Sequence, residues 1–292
     1  MAKVNYAEEV LIHPVRVPPS ERGVLISVTR QQAGWDTINF SVRRFIEGEN
    51  WQGNTGEEEA AFIVLGGRVV ADWGEGQLEI GARPDVFSGF PYAVYLPCRT
   101  AFEFRAVTTC EIADCRAPSA KPLQPRLIRP TDCRMEVRGG GNATRQIVDL
   151  IQASFPADKL LICEVYTPSG NWSSYPPHKH DVHNPPREVD LDETYYYRID
   201  HPDGYAFQRL YDAAGTRDDT LKLVDGDLVL IKDGYHPVVA AHGYNVYYLN
   251  VLAGSARSFA ASDDPRYVHL RKWPEPDPRV PLVHPEPVAA RS

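Results

Sequence analysis

No apolar run in this sequence approaches the roughly 20 residues that a membrane-spanning helix requires. No block of like charge stands out either. Lysine and arginine number 31 against 39 acidic residues, interspersed, and the net charge of −8 leaves no electrostatic footprint for nucleic acid or an anionic membrane. The five cysteines (Cys98, Cys110, Cys115, Cys133, Cys163) are odd in number and lack a CxxC spacing, which argues against a zinc ribbon or a disulfide framework. Met1-Ala2-Lys3 leads into polar residues, without the apolar segment of a signal peptide. The expectation is a soluble, cytoplasmic protein with reduced thiols, several of them packed inside.

Long helical periodicities are also scarce. What fills the chain is 25 prolines, 21 glycines, 15 tyrosines and short alternating runs. Examples are Val24–Val28, Ala61–Leu65, Ala101–Arg105, Leu221–Val224, Asp227–Ile231 and Asn245–Val251, separated by turn pairs such as Gly66-Gly67, Asp225-Gly226 and Asp233-Gly234. Many short strands with such punctuation predict an all-β sandwich or barrel fold. One helix is expected over Ala143–Ala153, where Ile147, Leu150 and Ile151 share a face, followed by a strand entry in Ala157–Cys163.

A length of 292 residues with 43% hydrophobic content is comfortable for two domains. The proline-rich stretch Ala117–Pro130 and Gly139-Gly140-Gly141 place the boundary between them. The division expected is 1–125, 126–272 and a proline-rich tail over 273–292, which wraps the surface or hangs loose. The halves read as distant copies. Trp51 followed by Glu59–Gly67 echoes Trp172 followed by Glu193–Ile199, and Ala93–Pro97 echoes Leu228–Gly234. Only the second copy carries histidines at the corresponding places, so one live site and one structural domain are expected.

The chemistry concentrates at His178-Lys179-His180. Residues i and i+2 of an extended segment project from one face, so both imidazoles reach one ion while Lys179 points away. Glu193 opens an aromatic strand, and His236 follows the turn Asp233-Gly234-Tyr235. Three histidines and a carboxylate suit a first-row divalent metal with open coordination positions. Glu188, Asp190 and Asp192 compete with Glu193 but lie in the loop after Pro185-Pro186. Tyr195 and Tyr197 share a face, either lining a pocket or packing a core. Tyr175, Tyr197 and Gln208 are the candidates for proton transfer. Arg187, Arg209 and Lys232 are the candidates to hold an anionic substrate.

The residues Gly170…His178-x-His180…Glu193, then Gly226…Gly234-x-His236, resemble the two metal motifs of the cupin superfamily, with a longer loop between His180 and Glu193. More specifically, Glu164–Asp181, Tyr205–Tyr211, Gly234–Val239 and Tyr247–Gly254 resemble the 5-deoxy-glucuronate isomerases of myo-inositol catabolism. That resemblance implies a bicupin, two tandem β-sandwich or jelly-roll barrels with a few short helices. It implies a metal bound by His178, His180, Glu193 and His236, with zinc, manganese and iron all compatible. It further implies isomerisation of a deoxy-uronate, 5-deoxy-D-glucuronate, to 5-dehydro-2-deoxy-D-gluconate. An iron-dependent cupin dioxygenase and a non-catalytic sugar-acid-binding cupin stay open beside it, since one fold hosts many functions. No nucleic-acid or membrane partner is expected, and the surface is compatible with a homo-oligomer of unspecified number.

Overall fold

The computed structural model describes residues 6–286. It is built almost wholly of strands, with two short helices, Tyr6–Val10 and Arg30–Ala33, and three single turns of 3₁₀ helix among the described residues. No helix is long and apolar enough to cross a membrane. The chain forms two compact units that are not contiguous in sequence. One comprises Pro14–Arg134, Leu150–Leu160 and Val283–Ser292. The other comprises Met1–His13, Met135–Asp149 and Leu161–Leu282. The change of unit after Arg134 lies beyond the 125/126 division expected from the prolines. The structure also assigns residues 6–13 to the second unit, because Leu11–Ile12 pairs with Leu228–Ile231 there.

The two units repeat one topology. In the first, the strands Arg126–Ile128, Ala93–Leu96, Glu58–Gly66, Cys110–Pro118, Asn39–Phe45 and Gly23–Val28 form a sheet in that order. In the second, Leu11–Ile12, Leu228–Ile231, Leu191–Ile199, Val246–Gly254, Leu161–Thr167, Arg145–Ile151 and Arg134–Arg138 do the same with one strand more. Each unit adds a four-stranded sheet. One is Asn50–Asn54, Ala101–Ala106, Val69–Asp72, Leu78–Ile80; the other is Trp172–Ser173, Val238–Ala240, Ala206–Tyr211, Asp218–Leu223. The central strand pairings of both units are antiparallel, as short β-rich segments joined by tight turns dictate.

Sheet register corrects the alignment of the copies by one residue. Ala60 faces Leu96 in the first unit and Glu193 faces Ile231 in the second, so Ala60, not Glu59, is the counterpart of Glu193. Ala60 belongs to an apolar interior that includes Phe45, Phe62, Val64, Leu96, Phe102 and Phe104. Trp51 packs into it, with ring centroids 5.2 Å from Phe102 and 5.4 Å from Phe62. Where the second unit holds polar chemistry, the first holds rings. Glu59 lies on the opposite face, fully buried, and accepts hydrogen bonds from the backbone N–H of Asp158 (2.7 Å), Lys159 (2.6 Å) and Leu160 (2.7 Å) and from the Tyr95 hydroxyl (2.6 Å).

The helix expected over Ala143–Ala153 is a strand, Arg145–Ile151. All of its residues but Asp149 are buried, so apolar side chains occur on both faces and imitate a helical stripe. β-Branched Ile147, Val148 and Ile151 suit the pleated sheet better than a helix. The strand entry expected in Ala157–Cys163 is present as Leu161–Thr167. The tail packs through its described part: Gly141 bridges to Pro276, the Leu282 N–H donates to Gln146 at 2.7 Å, and Val283 is buried. Its residues beyond 286 lie outside the described range. The five cysteines are free, and Cys110, Cys115 and Cys163 are buried, as expected.

Candidate metal centre

Four side chains from three segments of the sequence arrive at one wall of the second unit's barrel. His178 comes from the two-residue strand His178–Lys179, held against Ser262–Asp263. His180 follows it, Glu193 lies near the start of the central strand Leu191–Ile199, and His236 follows the Gly234 turn. Gly234 has φ of 77°, and a Cβ there would meet the Tyr211 carbonyl oxygen at 2.6 Å, so the turn that aims His236 requires glycine.

The ligand atoms of His180, Glu193 and His236 lie within 4.8 Å of one another. The His178 ring stands 4.9 Å from that of His236 and 6.3 Å from that of His180, centroid to centroid. His180 Nδ1–H donates to the Leu191 carbonyl and His236 Nδ1–H to the Gly234 carbonyl, each at 2.9 Å. Because a carbonyl only accepts, Nδ1 carries hydrogen in both rings, and the His236 Nε2 lone pair is directed inward. His180 Nε2 donates to the Glu193 carboxylate and would turn a lone pair inward only where a cation replaces that proton. His180 Nε2 lies 3.0 Å and His236 Nε2 3.5 Å from Glu193 Oε2. His236 Nε2 is buried and has no hydrogen-bond partner. A buried lone pair without a donor is costly, and three nitrogen or oxygen atoms converging on one point meet the requirement of a divalent cation. The residues fit a metal.

Electrostatics agree. Burial, and then the neighbouring His180, push the His178 pKa down to about 3, and burial and the other two imidazoles push His236 well below the usual histidine range. Both rings are therefore neutral at neutral pH, the form a cation would need. Burial opposes charge on His180 as well, but its bond to the Glu193 carboxylate outweighs this and raises its pKa. Burial raises that of Glu193, against the pull of His180.

A cavity of about 110 Å³ opens on this wall, bounded also by Arg138, Arg145, Ser174, Tyr195, Tyr248 and Asn250. Of the tyrosines read from the strand, Tyr195 lines it. Tyr197 is withdrawn behind, donating to Gln208 at 3.0 Å, and Gln208 in turn donates to the His236 backbone carbonyl at 3.2 Å. Tyr197 and Gln208 thus support His236 rather than face the cavity. The third proton-transfer candidate, Tyr175, packs its ring on Trp172 at 5.3 Å and stands outside the lining.

The three cations read as substrate contacts are elsewhere. Arg209 is engaged by Asp218 through two bonds of 2.7 Å and lies over the Tyr211 ring, Arg187 is exposed in a loop, and Lys232 is half-buried off the cavity. The arginines that do line it are Arg138 and Arg145, and the helix expected over Ala143–Ala153 hides the facing of Arg145. Lys179 points away as alternation requires, paired with Asp181 and, at 2.8 Å, with Glu188. Glu188 is thereby excluded from the ligand set, and Glu193 stands alone among the competing acids in the cluster.

Residues 12–270 match the model of the KduI/IolB family. The chain belongs to that family. A family relative from Geobacillus thermodenitrificans, named 5-deoxy-glucuronate isomerase, is 43% identical over 249 residues, covering 85% of this chain and 91% of its own. A protein of the same name from Bacillus subtilis strain 168 is 37% identical, covering 82% and 90%. Among solved structures, an IolB-like family protein from Salmonella typhimurium LT2 superposes with a TM-score of 0.86 at 34% identity, covering 89% of this chain and 98% of its own. The oxalate decarboxylase of Lactobacillus farciminis shares the fold alone, with a TM-score of 0.63 at 11% identity, covering 91% and 96%. The all-β, bicupin architecture expected from the sequence is therefore the architecture found.

Proposed function

We propose that this chain is a metal-dependent aldose–ketose isomerase that converts 5-deoxy-D-glucuronate to 5-dehydro-2-deoxy-D-gluconate. The observation that carries the reading is the clustering of His180, Glu193 and His236, with the His178 ring beside that of His236, at a small cavity that His178, His180 and Glu193 line, in a family whose relatives bear the isomerase name. Those four side chains would hold one divalent ion, and zinc, manganese or iron all suit two or three imidazoles with a carboxylate.

The reaction moves one hydrogen from the hydroxyl-bearing carbon to the adjacent aldehyde carbon and one proton from that hydroxyl to the former aldehyde oxygen, with no net oxidation. When bound, a divalent cation supplies Lewis acidity that favours negative charge on the two neighbouring oxygens. The chain's own contribution is placement. The Leu191 and Gly234 carbonyls hold two imidazoles by their Nδ1–H groups, and the Gln208–Tyr197 pair braces the backbone of His236. Tyr195 and Tyr248 line the cavity with phenols that keep their protons at neutral pH, since burial raises Tyr195 well above its usual range and Tyr248 to about 12. They act there as hydrogen-bond donors to substrate oxygens.

The test is an anaerobic proton-NMR assay of metal-replete protein with 5-deoxy-D-glucuronate, beside a His178→Ala variant. Conversion that the variant loses is the expected result. Folded, metal-loaded protein that converts nothing, with any of the three metals, would overturn the reading. Oxygen consumption with iron would put a dioxygenase in its place.

A further inference from the structure

Arg145 is 6% exposed, and its guanidinium borders the cavity that His178, His180 and Glu193 also border. Of its five N–H donors, one is engaged: Nη1 donates to the Tyr175 carbonyl at 3.2 Å. No carboxylate among the described residues forms an ion pair with it. This is unusual for the molecule, in which Arg44, Arg99, Arg209, Arg266, Arg271 and Arg279 each hold an aspartate or glutamate. Arg138, at the same cavity, is occupied by Glu136 through bonds of 3.1 and 3.0 Å. Taking a guanidinium out of water without a counter-charge is costly, and the cost is offset only when an anion arrives.

Strand geometry makes the placement deliberate. Arg145 and Ile147 are i and i+2 on Arg145–Ile151, so both project from the same face, and both line the cavity. Burial lowers the Arg145 pKa only to about 10, so the group remains a cation at neutral pH.

We infer that Arg145 is the carboxylate-binding residue of this cavity, and that it selects sugar acids over neutral sugars of the same shape. The inference rests on the isomerase reading for the identity of the sugar, and it deepens that reading by naming what discriminates the substrate. A deoxy-uronate carries its carboxylate at the end of the carbon chain opposite the carbons that react. A guanidinium bound to that end in forked geometry orients the chain and leaves the aldehyde end for the histidine wall. Lysine, a point charge without the fork, does not replace it.

The experiment compares wild type, Arg145→Met and Arg145→Lys, each metal-loaded and checked for a native melting curve. The substrates are 5-deoxy-D-glucuronate and its neutral amide, with binding followed by calorimetry and turnover by NMR. In the wild type kcat/KM should favour the acid by about 10²-fold or more, the discrimination expected when a buried polar group is otherwise left unpaired. Arg145→Met should lose most of that ratio by slowing the acid alone, and Arg145→Lys should recover a minor part of it. An equal fall for acid and amide would overturn the inference and assign Arg145 to support of the Tyr175 loop. If the wild type binds the acid without converting it, and Arg145→Met abolishes that binding, the isomerase reading fails and the carboxylate site stands. If the acid binds neither protein, or binds Arg145→Met as tightly as wild type, the carboxylate site fails whatever the turnover.

Discussion

His236 Nε2 shows how a single atom reports chemistry. It is buried, unpartnered, and fixed as an acceptor because Nδ1–H is committed to the Gly234 carbonyl. Removing the ring should remove the ion. His236→Ala is expected to drop metal content, read by elemental analysis after dialysis, from about one ion per chain to near none, with kcat/KM falling by more than about 10²-fold. Retention of a full ion by this variant would show that the metal is bound elsewhere. The donor pair behind the ligand has a smaller effect. Gln208→Leu leaves His178, His180, Glu193 and His236 in place but frees the His236 carbonyl, and an approximately 10-fold loss of metal affinity is expected in a competition titration with a chelator. His178 and His180 were legible from their i, i+2 spacing, and Glu193 from its place opening an aromatic strand. Arg145 was not, because nothing local distinguishes a cation aimed inward from one aimed at solvent.

At the scale of elements, the ribbon that presents His178 is only two residues wide on each side. It is secured just past its end by Asp264, whose N–H donates to the Pro177 carbonyl at 2.8 Å and whose carboxylate takes the Tyr211 hydroxyl and Arg266, each at 2.7 Å. The hydrogen bond from Arg266 first, then that from Tyr211 against the opposing cost of burial, hold the Asp264 pKa down to about 2. The folded pKa is below the unfolded value of about 3.9, so the stabilisation is present above pH about 4 and is lost as pH falls toward 2. Arg266 is largely exposed, and screening limits the contribution to about 1–2 kcal/mol. In urea titrations the gap between wild type and Asp264→Asn should be of that size at pH 7 and narrow steadily between pH 4 and 2. A gap that stays level down to pH 2 would show that this carboxylate's ionisation contributes nothing. The Arg145–Ile151 strand belongs to the same scale. Its apolar residues satisfy both a helical stripe and a doubly buried strand, and only its position in the sheet between Leu161–Thr167 and Arg134–Arg138 decides.

For the molecule as a whole, one topology is used twice with different interiors. Phe62, Phe102 and Phe104 fill the first barrel, whereas the second keeps imidazoles, a carboxylate and phenols around a cavity. An ion bound to the folded state and not to the unfolded chain adds stability by mass action, about 4 kcal/mol at a thousandfold excess over its dissociation constant. Metal loading should therefore raise the melting temperature of the wild type by several degrees and leave that of His236→Ala unchanged, as calorimetry will show. In the first unit Glu59 stitches residues 158–160 to the sheet with three backbone hydrogen bonds and a fourth from Tyr95. Glu59→Ala strands those donors in the interior and should cost about 3 kcal/mol or more in denaturant unfolding, without changing metal content.

Sequence alone determined the all-β class and the tandem repeat, and it singled out His180, Glu193 and His236, which the fold clusters, since strand alternation, turn glycines and histidine spacing are local properties of the chain. The tertiary structure decided what local pattern does not encode. It set the one-residue register that makes Ala60 the silent counterpart of Glu193, and it exchanged segments between the two units. It also turned Tyr197 and Gln208 into supports, and it set Arg145, unpaired, at the cavity wall. Register and facing depend on which strands meet, and pairs such as Ala60 with Leu96, 36 positions apart, and Leu11 with Val229, 218 apart, lie where no local periodicity reaches.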